Sequence, residues 1–137
     1  MQSLTIDELD HYFNDLLKRV PEERRAMFEE LSQELLTDVR GRIGGAGKVQ
    51  SWQDKYTGSG GGWAAVRPKA KTWTEATRSG NRYAVGHVTN AITSGHRTPS
   101  GGYVQGKGFY ADANAGARVI VERAIERFET RIKETLE

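Results

Sequence analysis

Cysteine is absent from the 137 residues. Disulfides and thiolate metal centres are therefore excluded, and the composition fits a reducing compartment. Proline occurs three times, so little in the chain interrupts regular structure. Long hydrophobic runs are also missing. No stretch approaches the roughly 20 consecutive apolar residues that a membrane-crossing helix requires, and no membrane partner is expected. The segment from Met1 to Asp7 has neither the basic region nor the apolar run of a secretory signal. The chain is expected to act where it is made, or to be carried out within something larger.

What is present is a chain of single-domain length with 36% hydrophobic and 28% charged residues. It is long enough to bury a modest core. The net charge of +2 conceals a strong asymmetry. Residues 1–43 carry ten acids and six bases, a net of −4. Residues 44–108 carry nine bases and two acids, a net of +7. The remainder is near neutral, at −1. An acidic part and a basic part in one small domain can attract a second copy or a neighbouring subunit. The basic part could equally face nucleic acid.

The pattern predicts an α+β domain over residues 1–137: two N-terminal helices, a small antiparallel β-sheet with long Gly-rich loops, and a long C-terminal helix packed on the sheet. Thr5 and Glu8 form a capping box. Ile6, Leu9, Phe13, Leu16, Leu17 and Val20 recur at helical spacing. Pro21 suits the first turn of a second helix, whose stripe is Phe28, Leu31, Leu35, Val39 and Ile43. Residues 1–43 thus read as a helical hairpin and 44–62 as a glycine-rich loop. Residues 63–108 read as sheet and loops, with strands at Trp63–Arg67, Arg82–Asn90 and Tyr103–Gln105. Residues 109–137 read as the C-terminal helix, with Val121, Ile125, Phe128 and Ile132 as its stripe.

Motifs for chemistry are few. Gly41–Val49 suggests a phosphate-binding loop, but the glycine required five positions before Gly47 is Arg42, and Val49 lacks the magnesium-binding hydroxyl. A helix end running into a loop explains the same residues. His11, His87 and His96 are the three histidines. No cysteine or nearby carboxylate pair completes a zinc set around them, and no acid near His96 completes a nucleophile triad. His96 reads as a turn residue bonded to backbone, and His87 as a half-buried strand residue. No cofactor or metal is expected, and the chain is not read as an enzyme.

Trp52, Tyr56, Trp63, Trp73, Tyr83 and Tyr103 alternate with bases through the middle of the chain. Single-strand nucleic-acid surfaces combine these residue types, and so do protein interfaces. Some of these rings must also serve the core.

Val88–Gly101, with Asn90, then Gly95-His96, then the turn at Pro99 to Gly101, resembles a segment of a bacteriophage family: the small head–tail joining, or tail-completion, proteins of long-tailed phages. The resemblance extends through Tyr56–Arg67 upstream and Val104–Ala113 downstream. It implies a non-enzymatic virion protein of the tail or neck, a minor tail component assembled in the host cytoplasm. Such a protein forms a homo-oligomeric ring at the head-proximal end of the tail and joins the tail tube protein to the head–tail connector or stopper. DNA would pass through its lumen. The candidate interface residues on this reading are Trp52, Tyr56, Trp63, Arg67, Lys69, Lys71, Trp73, Asn90, His96, Arg97 and Tyr103. Segments 44–62 and 93–107 are read as assembly loops. The alternatives are a nucleic-acid-binding module using the basic, aromatic-rich middle, and a small hydrolase centred on His96.

Overall fold

The computed structural model describes residues 5–44, 47–59 and 62–136, with the side chains of Leu9, Tyr12, Phe13 and Leu16 excepted. Met1 to Leu4, Gly45, Ala46, Gly60, Gly61 and Glu137 therefore lie outside the described residues, with part of the predicted glycine-rich loop, as do the side chains of Leu9, Phe13 and Leu16 from the first apolar stripe. The fold is α+β, with the order α1 (Ile6–Ile43), α2 (Lys48–Ser51), β1 (Gln53–Thr57), β2 (Ala64–Pro68), α3 (Val85–Ser94), β3 (Gly95–Arg97), β4 (Tyr103–Gln105) and α4 (Phe109–Leu136).

Helix α1 begins where the sequence places it. The Thr5 hydroxyl accepts from the Glu8 amide at 3.2 Å, and the Glu8 carboxylate accepts from the Thr5 amide at 2.9 Å. The predicted break at Pro21 does not occur, and the two helices are one, 38 residues long. Proline removes a single ladder bond, to the Leu17 carbonyl. The residues around it, from Leu16 to Met27, include no glycine or turn pair that would favour a loop. Both stripes therefore run along one rod of ~57 Å.

Strands β1 and β2 pair antiparallel, from Gln53 opposite Pro68 to Thr57 opposite Ala64. One face of this hairpin lies on α1. There Lys55 Nζ donates to Gln33 Oε1 at 2.9 Å and the Thr57 hydroxyl donates to Glu29 at 3.3 Å. Strand β1 and helix α2 both fall in the stretch expected to be loop. Strands β3 and β4 form a second, separate hairpin, so the single predicted sheet is two two-stranded ones.

The strand predicted at 82–90 is instead the start of α3. Val85 and Thr89 are fully buried and Ile92 packs on the core. That i, i+4, i+7 spacing is helical, and it outweighs the apparent alternation of Tyr83, Val85 and His87. His87 is exposed on this helix, not half-buried in a strand.

Helix α4 packs its first turns against the β1–β2 hairpin and returns antiparallel along α1. Phe109 and Ala113 join Val39 in a buried cluster, flanked by Ile43, Val49, Val66, Ile92 and Tyr110. Along the seam Arg127 meets Glu34 at 2.6 Å, and Arg131 meets Glu30 at 2.6 Å and Glu23 at 3.4 Å. The Arg131 hydrogen bond, with Arg127 behind it, holds the Glu30 carboxyl below its ordinary 4.5. The buried line on α4 is Ala113 and Ala124, rotated from the predicted stripe, and Ile125 is 43% exposed. Small residues let the two helices approach closely while arginine stems cover the edge.

Leu36 is 3% exposed. Leu36→Ala should lower stability in urea denaturation by about 2–5 kcal/mol, while Ile125→Ala should stay within about 0.5 kcal/mol. Equal losses would show that the face of α4 is misassigned. Because the Glu30 carboxyl is depressed, its contribution is present above pH 4.5 and is lost as pH falls through its folded value. Glu30→Gln should flatten the acid limb of stability against pH.

Candidate functional site

The eleven sequence-selected residues do not converge on one cleft. They divide between the end of α2, the two hairpins and the segment that joins the hairpins.

On β1–β2 the strand alternation turns Tyr56 and Arg67 away from α1. The Arg67 guanidinium lies 4.8 Å from the Tyr56 ring centre and 5.5 Å from that of Trp63, so one cation is held between two aromatics. Gly58 is required beside them. A Cβ there would sit 2.6 Å from the Trp63 indole nitrogen, and the Gly58 amide donates to the Trp63 carbonyl at 3.1 Å. Trp52 is half-buried at the end of α2, where its carbonyl accepts from the Lys69 amide at 2.8 Å. Lys69 and Lys71 are exposed just beyond β2, Lys71 at a positive φ of 53°. Trp73 is exposed and bridges to Ala84.

The second group is polar and shallow. Asn90 is exposed on α3. His96 is exposed on β3 with Nδ1 3.4 Å from the Ala91 carbonyl, and Arg97 follows it. Tyr103 donates its hydroxyl to the Ser94 carbonyl at 3.2 Å. Gly95, at φ 89°, permits the close crossing of β3 and β4, since a Cβ would collide with the Tyr103 hydroxyl. The carbonyls that end α3 are capped by the strand leaving β4. Lys107 and Gly108 amides donate to Ile92 and Thr93 at 2.9 Å each. Residues 93–108 are thus a closed, hydrogen-bonded unit.

Sequence reasoning missed the residue that places these groups. Gln53 is fully buried. Its Nε2 donates to the Val49 carbonyl at 3.2 Å and to the Thr89 hydroxyl at 3.4 Å. Its Oε1 accepts from the Tyr110 hydroxyl. Its carbonyl accepts from Arg40 at 3.0 Å, and the Thr89 hydroxyl passes its own proton to the Val85 carbonyl at 2.7 Å. The side-chain amide therefore ties β1 to α2, α3 and α4, and the main-chain carbonyl of the same residue adds α1. The only sequence signal was a glutamine in a segment with no other claim on the core.

A second missed feature is a hollow of roughly 480 Å³ at the C-terminal end of α1. Ile43, Val49, Ile92, Val104 and Phe109 line it, with His96, Gln105 and Lys107 among them. Among the described residues no group of three or more metal-ligating side chains is assembled.

Burial pushes the Tyr110 hydroxyl from 10.0 up to about 12. The neutral phenol is thus favoured in the folded state. Its contribution is complete below pH 10 and is lost as pH rises towards 12. Tyr110→Phe should remove this alkaline sensitivity in denaturant titrations. At neutral pH it should cost about 1–3 kcal/mol, by leaving the Gln53 carbonyl oxygen unpartnered.

Comparison with protein-family models, curated proteins and solved structures finds no match to this chain.

Proposed function

We propose that this chain is a non-enzymatic structural subunit of a long-tailed phage virion, one copy of a ring that joins the tail tube to the head–tail connector. The observation that carries the reading is a surface left unsatisfied in the single chain. The accessible area is 10003 Å², against about 7100 Å² for a compact monomer of this mass. The charge on that surface is also divided. Among the described residues, Asp7, Asp15 and Glu22 on the first half of α1 have no cationic partner, and Lys69, Lys71, Arg78, Arg82, Arg97 and Lys107 have no carboxylate partner. Head-to-tail repetition of one contact brings unlike faces together and closes a ring. The resemblance of residues 56–67, 88–101 and 104–113 to tail-completion proteins supplies the setting, with DNA passing through the lumen.

A second reading has its own support. The Arg67 cation between Tyr56 and Trp63, with Lys69 and Lys71 beside it, is the kind of surface on which bases stack. The hydrolase reading has less. His96 bonds only the Ala91 carbonyl, with no carboxylate or nucleophile in reach among the described residues.

Sedimentation at rising concentration separates the first two. The ring reading expects multi-copy species of closed shape under the electron microscope. Arg67→Glu with Lys69→Glu should weaken association, and Asp10→Lys with Asp15→Lys on the neighbouring copy should partly restore it. Exposed pairs contribute about 0–1 kcal/mol each, so the effect is on register more than strength. A monomer at every concentration, with DNA affinity that falls steeply with salt and disappears in the same variant, would replace this reading with the nucleic-acid one.

A further inference from the structure

We propose that the first fifteen residues of α1, 6–20, form an arm that docks into the apolar hollow of a second copy of this chain. The proposal rests on the ring reading above and names the two surfaces that meet.

Among the described residues no side-chain hydrogen bond or ion pair joins the arm to another element. Helix α4 meets Glu23 of α1 through Arg131 and ends five residues later, at Leu136. The arm continues past that point for roughly 20 Å. Its Ile6 is 87% exposed and its Leu17 is 72% exposed, on the helical apolar spacing that runs from Ile6 to Val20 in the sequence. A helix of this length is marginal in water without something to cover its apolar stripe.

The hollow offers the complementary surface. It is walled by Ile43, Val49, Ile92, Val104 and Phe109, and no carboxylate lines it. Lys107 on its lining has no carboxylate partner among the described residues. The arm carries four acids and two bases, so the two surfaces match in charge as well as in polarity. The volume accommodates a few side chains of leucine size, as an amphipathic helix laid in a groove requires.

Position makes the contact intermolecular. The hollow lies at Ile43, and Leu17 lies ~39 Å away along the same helix. A straight helix cannot bring its own arm to its own hollow. Repeated head to tail, this joint is heterologous and propagates until it closes, whereas two antiparallel copies exchanging arms would close at two. Pro21 marks the junction of arm and body, where the ladder is one bond short at the Leu17 carbonyl.

The cysteine-free chain makes the test direct. Full-length Leu17→Cys and Val104→Cys copies are mixed and treated with a short bismaleimide. Both positions are exposed, so the variants should melt as the parent does. Leu17→Cys paired with Val119→Cys, on an exposed part of α4, is the control. A docked arm holds the two thiols at millimolar effective concentration, so the Leu17–Val104 product should form on the order of tenfold faster than the control product. Equal rates in a sample that still forms multi-copy species would overturn the docking while leaving the ring reading in place, with other faces in contact. Equal rates in a sample that stays monomeric would remove both. A small apolar molecule carried by the monomer in native mass spectra, and blocking the cross-link, would make the hollow a ligand pocket and overturn the docking.

Discussion

The fold depends on one buried amide. Gln53 has no access to water, yet both of its N–H groups and its oxygen are bonded, to α2, α3 and α4. Around it the chain buries few large apolar side chains. The described buried set is Leu31, Leu36, Val39, Val85, Phe109, Ala113 and Ala124. Hydrophobic burial is non-directional, and a core this small leaves short elements free to slide. Hydrogen bonds from a single side chain set the relative positions of four elements at once. The arrangement tolerates no partial loss, because each partner left unpaired in a dry site costs more than the bond contributes.

Around that hub the molecule is an elongated α1–α4 pair with two small hairpins gathered at one end. Arginines of α4 neutralise three of the glutamates of α1 at the seam. Among the described residues the acids nearer the N-terminus have no such neighbour, Arg67 lies against aromatic rings, and the bases from Lys69 to Lys107 are exposed. Internal pairing thus consumes the middle of the charge distribution and leaves its two extremes. A surface of that kind is asymmetric along its long axis, with complementary charge at its two extremes.

Helices were legible where period and caps agreed. The capping box at Thr5 and the stripe from Phe28 to Ile43 placed α1, and the Val121–Ile132 spacing placed α4 to within one helical position. The edge strand before Pro68 and the strand at Tyr103 were also visible. The rest was hidden for physical reasons. Strand β1 presents Gln53, Lys55 and Thr57 to polar groups of α1, so no alternation of hydrophobic and polar residues announces it. The buried residues of α4 are alanines, outranked in a hydrophobicity reading by Ile125 beside them. Helix α3 begins with a valine that fits either period. The site residues were chosen by type, and type does not say which lie together. Arg67, Tyr56 and Trp63 lie together on one side of the first hairpin, whereas His96 and Tyr103 belong to the second hairpin and Asn90 to helix α3.

The return of α4 along α1 also sets an order of events during synthesis. The seam joins residues 93 and 108 positions apart in sequence. Contacts at such separation are slow to form, because the intervening chain must first be gathered. Helix α1 leaves the ribosome before the hairpins, and its partner α4 is made after them. Through most of translation the apolar side of α1 is covered only by the hairpin that follows it. A nascent chain of this design is a target for chaperones until its final turns emerge, and a message truncated within α4 yields a product whose longest helix has lost its cover.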